Sequence, residues 1–308
     1  MFLVEKKNMI NQNVPGASAQ KGQLRKFALA GIALVAIFGL PLLKLVDFTL
    51  HDEFFSYILL IPFTSFYLAW LLKEKLPAIS LPEKKWAAVF FAGGLAALAG
   101  HFLKPGTTVA DSLVLAILAF ASCVTGAGFL FLGGAIMRLL AFPFSLLFFM
   151  IPFPDVLRLA IETWLQHWSA AAAGWMFALS GMTVFHDGLV FHLSDITLQV
   201  APECSGIQSS IVLLIVSLVA GHLFLRHPGK RALLCLAVIP LAVLRNGFRV
   251  FTLGELCTHI GPEMIDSPIH HRGGPIFFAL SLIPFSLLLY LLMKSERSKN
   301  PGPSAPGN

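Results

Sequence analysis

Charged residues are scarce in this 308-residue chain, and their scarcity excludes a soluble globular domain. Asp, Glu, Lys and Arg make up only 12% of the sequence, whereas hydrophobic residues make up 56%. The mean hydropathy is +0.79. A soluble domain usually carries about twice that share of charge. The apolar runs that recur along the chain are long enough to cross a bilayer, so the composition predicts an all-α polytopic membrane protein.

Cysteine is also scarce, and its spacing excludes the usual cysteine-based frameworks. The four cysteines lie in different segments without a C-x-x-C pair, so neither a zinc knuckle nor a disulfide framework is predicted. The ten histidines include no H-E-x-x-H or comparable ligand spacing. We therefore expect neither a metal nor another cofactor. Each cysteine has to be judged by its own surroundings.

The beginning of the chain lacks the pattern of a cleaved signal peptide. Residues 1–26 are polar and basic, and the apolar run that follows has no small-residue cleavage site after it. We expect 1–26 to be a cytoplasmic segment and 27–293 to form a single transmembrane domain. The stretch 294–308 is rich in Pro, Ser and Gly, which is typical of a disordered tail.

Eight transmembrane spans are predicted from the apolar runs, the fifth of them short and broken by Pro143. The spans are 27–46, 54–72, 86–103, 109–132, 137–152, 206–225, 232–251 and 275–293. A cytoplasmic N-terminus places most of the 22 basic residues in cytoplasmic loops. Lys and Arg in short loops set the orientation of membrane proteins, so both termini are expected inside.

The stretch 156–181 reads as a helix but is polar in its first half. If it crossed the membrane, the basic loop after the sixth span would lie outside, against the charge rule. We therefore expect an interfacial or re-entrant helix on the outer side, with Trp164, Trp168 and Trp175 as interface anchors.

A short β-hairpin is predicted over 184–200, where apolar and polar residues alternate around Asp187 and Gly188. An open hairpin cannot lie in lipid, because its unpaired backbone groups would have no hydrogen-bond partners there. The hairpin is therefore expected to cap the helix bundle on the periplasmic side.

Cys204 is the cysteine whose surroundings favour a function. In VAPECSGIQSSIVLLIV the hairpin ends at Pro202 and Glu203, and an apolar helix begins within about two residues of Cys204. A helix N-terminus lowers the pKa of a thiol, and the thiolate is the nucleophilic form. The polar neighbours Ser205 and Gln208 set it apart from the other cysteines, which lie in apolar or featureless contexts typical of packing. On position alone, a catalytic role and a packing role both stay open.

Two arginines and an asparagine interrupt the apolar helix VIPLAVLRNGFRVF. A central arginine in a membrane helix costs roughly 2.5 to 3.5 kcal/mol, so it usually faces a polar cavity that contains partners. Arg245 and Arg249 are four residues apart and share a face, with Asn246 beside them. Snorkelling to the headgroups is the alternative for Arg249. Either arginine can also pair with Glu203 or Asp266.

His270 and His271 come immediately before the last predicted span. Histidine exchanges protons near neutral pH and can serve as a general base. Under the predicted topology, residues 204, 249 and 270 reach the same outer leaflet through three successive spans. A thiol nucleophile, a guanidinium for an oxyanion and an imidazole that moves protons are together sufficient for acyl transfer.

With these residues in view, the chain resembles the exosortase and archaeosortase family of membrane-embedded cysteine enzymes. The matching motifs are E-C-S-G-I-Q-S at 203–209, R-N-G-F-R-V at 245–250 and H-H-R-G-G at 270–274. Similarity also covers 51–70 and extends over most of the chain, from about residue 27 to 293. The three motifs together are specific, whereas any one of them alone is weak.

The resemblance implies that Cys204 is the nucleophile, Arg249 the transition-state stabiliser and His270 the general acid/base. Four further residues are alternatives or supporting residues for these roles: His271, Arg245, Asn246 and Glu203. The adjacent His271 leaves the choice between the two histidines open.

The resemblance further implies a bacterial inner-membrane enzyme, a cysteine transpeptidase or protease, whose active site faces the periplasm. Its partners would be the lipid bilayer and exported proteins with a C-terminal tail: a Pro-Glu-Pro type signal, a transmembrane helix and a basic cluster. The thiolate would form an acyl-thioester and release the anchor helix. No nucleic-acid partner is expected.

A transporter or channel is the competing interpretation from the residues alone, with Arg245 and Arg249 binding an anionic solute and Cys204 incidental. The two interpretations differ in their dependence on the thiol, because a transporter tolerates Cys204→Ser and an acyl-transferring enzyme does not. A metal-dependent intramembrane protease is disfavoured by the lack of a ligand cluster in the sequence.

Overall fold

A computed structural model of the chain describes residues 15–77, 80–103, 106, 108–182, 184–193, 197–200, 205–266 and 273–299. The chain divides into two compact units, 1–155 and 156–308. Both units consist mainly of helices, and the second also contains a small β-sheet. The predicted all-α polytopic membrane fold is confirmed.

The first unit is a set of helices joined by short 3-10 or π segments. The helices are α1 (Pro15–Ile37), α2 (Gly39–His51), α3 (Leu60–Leu71), α4 (Lys84–Leu103), α5 (Val109–Ala127), α6 (Gly134–Leu139) and α7 (Ala141–Leu146). The 3-10 segments are Glu53–Leu59, Lys73–Lys75 and Leu147–Met150, and the π segment is Gly128–Leu132. Helix α5 forms the centre of this unit, with Ala116 and Ile117 fully buried.

The second unit begins within a long helix and continues through the sheet to a group of apolar helices. Its elements are α8 (Asp155–Ser180), β1 (Phe185–Asp187), β2 (Val190–His192), β3 (Thr197–Gln199), α9 (Ile207–Phe224), α10 (Pro228–Leu236), α11 (Val238–His259), a 3-10 helix (Pro262–Asp266) and α12 (Gly274–Lys299). The candidate site lies in this unit.

Six helical stretches in the described residues are long and apolar enough to cross a membrane, and the number rises to eight if each of two bent helix pairs counts as one span. The upper number agrees with the eight predicted spans. The chain is therefore a multi-pass membrane protein.

Three helices end four residues before a proline. Helices α1, α6 and α10 end at Ile37, Leu139 and Leu236, followed by Pro41, Pro143 and Pro240. A proline has no N–H to donate to the carbonyl four residues earlier, and its ring clashes with that carbonyl, so the helix breaks there. The break at Pro143 was predicted. The span predicted over 27–46 corresponds to a bent pair of helices, because α1 and α2 meet at an angle of 71°.

The hairpin predicted over 184–200 is confirmed, and a third strand extends it. Strands β1 and β2 pair antiparallel around the turn at Gly188, with Asp187 opposite Val190. Strand β3 then pairs with β2, which places Leu198 opposite Phe191. Both of these side chains are buried on one face of the sheet, so burial of apolar surface favours the added strand.

The helix predicted over 156–181 is confirmed as α8, which has two chemically different faces. The buried face carries polar residues, including Glu162, Gln166 and Ser169. The three tryptophans predicted as interface anchors are all exposed: Trp164, Trp168 and Trp175. Their exposure leaves the indole rings available to the surrounding lipid or headgroups.

The span predicted over 232–251 ends too early, because α11 continues to His259. The part of α11 beyond residue 251 packs against α8 and the sheet. Leu253 and Cys257 lie in a core with Phe177 of α8 and Phe191 of β2. This core joins α8, the sheet and the second half of α11, so the helix is stabilised beyond the apolar run that a sequence window detects.

Candidate active site

Helix α9 starts shortly after residues 201–205, here called the Cys204 segment, as predicted. Its first residue is Ile207, and its N-cap residue is Gly206, which follows Cys204 by two positions in the chain. Gly206 has a φ of +69°, a left-handed conformation that favours glycine. The buried hydroxyl of Ser205 accepts the backbone N–H of Ile207 at 3.5 Å. Cys204 and Glu203 themselves lie outside the described residues.

Arg245 contacts the first turn of α9. Its Nη2 donates to the carbonyl oxygen of Gly206 at 2.9 Å and to the hydroxyl of Ser210 at 3.3 Å. The Ser210 hydroxyl also donates to the Gly206 carbonyl at 2.7 Å. Arg245 therefore contacts the helix start that follows the predicted nucleophile.

The polar residues of α11 differ in their exposure. Arg245 and Asn246 are buried, with exposed fractions of 8% and 2%. Arg249, one turn further along the same face, is only partly buried. The second terminal nitrogen of Arg245, Nη1, has no hydrogen-bond partner among the described residues. A buried cation with a spare donor is expensive unless another oxygen atom reaches it.

Gly247 brings α11 into direct contact with α8. A Cβ atom at this position would lie 2.7 Å from the Cβ of Ala172 and 3.1 Å from the carbonyl oxygen of Ser169. A glycine is therefore required where the two helices cross, as is common for tightly packed membrane helices. The crossing lies two residues after Arg245 on α11 and three to seven residues after Gln166 on α8.

The buried polar face of α8 reaches the end of the sheet. Gln166, which is 6% exposed, donates from Nε2 to the carbonyl oxygen of Val200 at 3.2 Å. Glu162 lies one turn earlier and forms an ion pair with Arg158 at 3.7 Å. Val200 is the last described residue before the Cys204 segment.

Sequence reasoning did not assign Gln166 to the site. A signal was present, because four polar residues recur at spacings of three and four positions and thus follow one helix face. They are Arg158, Glu162, Gln166 and Ser169. A polar stripe of this kind in an apolar chain indicates a buried polar environment. Its partner, the carbonyl of Val200, is a backbone group that no sequence pattern marks.

The predicted histidines lie outside the described residues, together with the rest of 267–272. Gly273 is buried, and its carbonyl accepts the backbone N–H groups of Ile276 and Phe277 at the start of α12. His270 therefore precedes the last helix by four positions in the chain, as the sequence suggested. The side chain of Asp266, considered as a partner for the arginines, also lies outside the described part.

The other cysteines occupy packing positions. Cys257 is 1% exposed within the core that α8, the sheet and α11 share. The Sγ of Cys235 accepts the hydroxyl of Ser217 at 3.4 Å, and Cys123 is partly buried. Among the described residues, no three His, Cys, Asp or Glu side chains are grouped so that they could hold a metal ion.

A comparison with known protein families gives a match to a membrane-enzyme family model. The family model described as "Transmembrane exosortase" matches residues 49–287, which is most of the chain. The matched range contains all three motifs noted in the sequence. No curated protein and no solved structure matches the chain.

Proposed function

Because the chain belongs to the transmembrane exosortase family, we propose that it is a cysteine transpeptidase or protease that cleaves C-terminal sorting tails from exported proteins. The site residues follow the motif correspondence. Cys204 is the nucleophile, Arg249 stabilises the oxyanion, and His270 is the general acid/base, with His271 as the alternative.

The reaction proceeds in two stages. The Cys204 thiolate attacks the scissile carbonyl carbon, and the carbonyl electrons move to oxygen, where the Arg249 guanidinium stabilises the negative charge. When the C=O bond re-forms, the C–N bond breaks and the leaving amine takes a proton from the imidazolium. The acyl-thioester is then attacked by an amine, a hydroxyl or water, which gives its proton to the imidazole and releases the thiolate.

One observation carries this proposal beyond the family match. Arg245, a buried cation on α11, forms a hydrogen bond with the carbonyl of Gly206 at the start of α9, the helix that follows Cys204. Arg249 lies one turn from Arg245 on the same helix face. The contact supports an arrangement in which the predicted nucleophile and the predicted oxyanion stabiliser belong to one site.

The substrate and the orientation complete the proposal. The substrate is an exported protein whose tail carries a Pro-Glu-Pro type signal, a transmembrane helix and a basic cluster. The enzyme lies in the bacterial inner membrane with both termini cytoplasmic, including the segments 1–26 and 294–308. The site between them, within the transmembrane domain 27–293, faces the periplasm. The substrate helix lies in the same bilayer and presents its signal at the outer surface.

The transporter interpretation is not favoured. It treats Cys204 as incidental, whereas the family match covers a cysteine motif, an arginine motif and a histidine motif together. Arg245 is also engaged with the backbone of α9, so one of the two arginines that would bind a solute already has a structural contact.

The decisive experiment is removal of the thiol. We expect Cys204→Ala to abolish cleavage of a co-expressed protein with a sorting tail, because no other group can form the acyl-thioester. Cys235→Ala, at a packing position, is the matched control and is expected to process the substrate normally. In the parent enzyme, mass spectrometry should find a substrate fragment attached to Cys204. Normal processing by Cys204→Ala would refute the enzyme proposal.

A further inference from the structure

We propose that Gln166 and Arg245 are positioning residues that hold the Cys204 segment at both of its flanks. The inference rests on the proposed role of Cys204 as nucleophile. It is drawn from two hydrogen bonds, here called the flanking contacts: Gln166 Nε2 to the Val200 carbonyl at 3.2 Å and Arg245 Nη2 to the Gly206 carbonyl at 2.9 Å.

The first flanking contact fixes the chain before the cysteine. Val200 lies four positions before Cys204 and is buried. Its N–H donates to the carbonyl of Leu189 at 2.9 Å, and its carbonyl accepts from Gln166. Both backbone polar groups of Val200 are therefore bonded, one to the turn between β1 and β2 and one to α8. Without the Gln166 donor, the buried Val200 carbonyl would lose this hydrogen bond, and an unsatisfied buried carbonyl destabilises the fold.

The second flanking contact fixes the chain after the cysteine. The Gly206 carbonyl accepts the Ser210 N–H at 3.0 Å as the first hydrogen bond of α9, and it also accepts from Arg245. Because Arg245 reaches the Ser210 hydroxyl as well, one guanidinium nitrogen holds two groups of the same helical turn. Charge-assisted hydrogen bonds of this kind are stronger than neutral ones.

The two anchors belong to one packed pair of helices. Gln166 lies on α8 and Arg245 on α11, and these helices touch at Gly247, where there is no space for a side chain. Val250 of α11 and Ala170 of α8 also share a core with Val200 itself. Val200 and Gly206, which flank Cys204 in the chain, are therefore both held by the same packed pair of helices.

This arrangement matters for catalysis because a nucleophile has to meet the scissile carbonyl within a narrow range of distances. A misplacement of about 1 Å by a remote change can cost on the order of 10²-fold in rate. Neither Gln166 nor Arg245 needs to touch the substrate to have this effect. Supporting residues of this type hold a reactive group in its productive geometry.

Two substitutions remove the flanking contacts with little change in volume. Gln166→Met keeps the length of the side chain and removes the donor. Arg245→Lys keeps the charge, but its ammonium nitrogen ends one bond short of the Nη2 position that holds both the Gly206 carbonyl and the Ser210 hydroxyl. The matched controls are the neighbouring residues on the outer faces of the same helices, His167→Gln and Leu244→Ala, both of which are exposed.

The primary measurement is turnover by the purified enzyme in lipid nanodiscs, with a tail-bearing protein as substrate. We expect kcat to fall on the order of 10²-fold in Gln166→Met and in Arg245→Lys, with KM nearly unchanged, because the contacts orient the nucleophile and do not bind the substrate. Both control variants should match the parent.

The second measurement is the rate of Cys204 labelling by a thiol reagent, which requires no substrate. Cys257 serves as an internal probe of packing, because it is buried between α8, the sheet and α11. A positioning role predicts an altered Cys204 rate while Cys257 stays protected. A general loosening of the fold would expose Cys257 in parallel, and that result would overturn the proposal.

The positioning proposal would also be overturned if both variants had the same kcat and the same Cys204 labelling rate as the parent enzyme. If neither variant accumulates in the membrane, Ser210→Ala decides, because it removes one group held by Arg245 and leaves the charge in place. An unchanged Cys204 labelling rate in Ser210→Ala then counts against the positioning role. Cys204→Ala, assayed in parallel, distinguishes failure of the proposed function from failure of the positioning inference. If Cys204→Ala cleaves the substrate, the proposed function is wrong. If Cys204→Ala is inactive while Gln166→Met and Arg245→Lys behave as the parent, only the positioning inference is wrong.

Discussion

At the scale of single residues, the two arginines of α11 have different surroundings although they share a helix face. Arg245 is buried and donates to the start of α9, whereas Arg249 is partly exposed. A buried guanidinium is suited to support a neighbouring element, and a partly exposed one is suited to meet a substrate. The placement is consistent with the proposed assignment of the oxyanion role to Arg249.

The oxyanion role predicts that lysine cannot replace arginine at position 249. Lysine keeps the charge but loses the planar, forked arrangement of donors, so Arg249→Lys should lower turnover by about 10²- to 10³-fold, the scale of losing one oxyanion donor. The measurement is cleavage of a co-expressed tail-bearing substrate, with protein levels checked by blotting. Arg226→Lys, at an exposed loop position, is the control and should be active. Near-normal cleavage by Arg249→Lys would instead indicate a snorkelling side chain.

At the scale of elements, the start of α9 is the most constrained part of the described site. Gly206 has a positive φ, and a Cβ atom there would lie 2.8 Å from Arg245 Nη2 and 3.1 Å from Asn246 Oδ1. A side chain at this position would thus meet two buried polar residues of α11 at once. The backbone turn and the α9–α11 contact depend on the same glycine.

Gly206→Ala is therefore expected to abolish processing, because the added methyl group displaces Arg245 from the helix start. Gly181→Ala is the matched control: Gly181 has a φ of +77°, yet nothing lies within 4 Å of its Cβ position. Both variants carry the strain of a left-handed alanine, about 1 to 2 kcal/mol. Only the first has the clash. Thermal unfolding should show a stability loss in both variants, with the larger loss in Gly206→Ala, and substrate cleavage should be lost in Gly206→Ala alone. Equal activity in the two variants would contradict this reasoning.

At the scale of the whole molecule, the distribution of basic residues predicts the orientation in the membrane. In the second unit, Arg226 lies in the connection between α9 and α10, and Lys230 and Arg231 lie in the first turn of α10. The three-stranded sheet, with its turn at Asp187 and Gly188, precedes α9 in the chain. The positive-inside rule places the basic connection in the cytoplasm and thus the sheet on the periplasmic side.

Cysteine accessibility tests this orientation. In a chain whose native cysteines are replaced by serine, single cysteines are introduced by Asp187→Cys and Gly229→Cys, both at exposed positions. An impermeant maleimide added to spheroplasts should label the first variant at once and the second only after the membrane is permeabilised. The reverse pattern would invert the topology and place the active site in the cytoplasm.

Much of the architecture follows from local properties of the sequence. Apolar length predicted the membrane helices, because the bilayer core demands about 20 apolar residues per helix. Proline chemistry predicted the break at Pro143, and an Asp-Gly turn predicted the first two strands. The start of α9 close after Cys204, at Ile207, was also evident from the change in composition. The placement of Cys204, His270 and His271 together with Arg249 stays a prediction.

Only the tertiary structure decided which segments meet. The added strand β3, the extension of α11 to His259 and the two flanking contacts all depend on neighbours that are remote in the chain. Gln166 and Val200 are 34 positions apart, and Arg245 and Gly206 are 39 positions apart. In each flanking contact the acceptor is a backbone carbonyl, which every residue possesses, so no residue type marks it. The sequence by itself determined the helices and the chemistry available, and the packing of α8 against α11 decided which side chains reach the Cys204 segment.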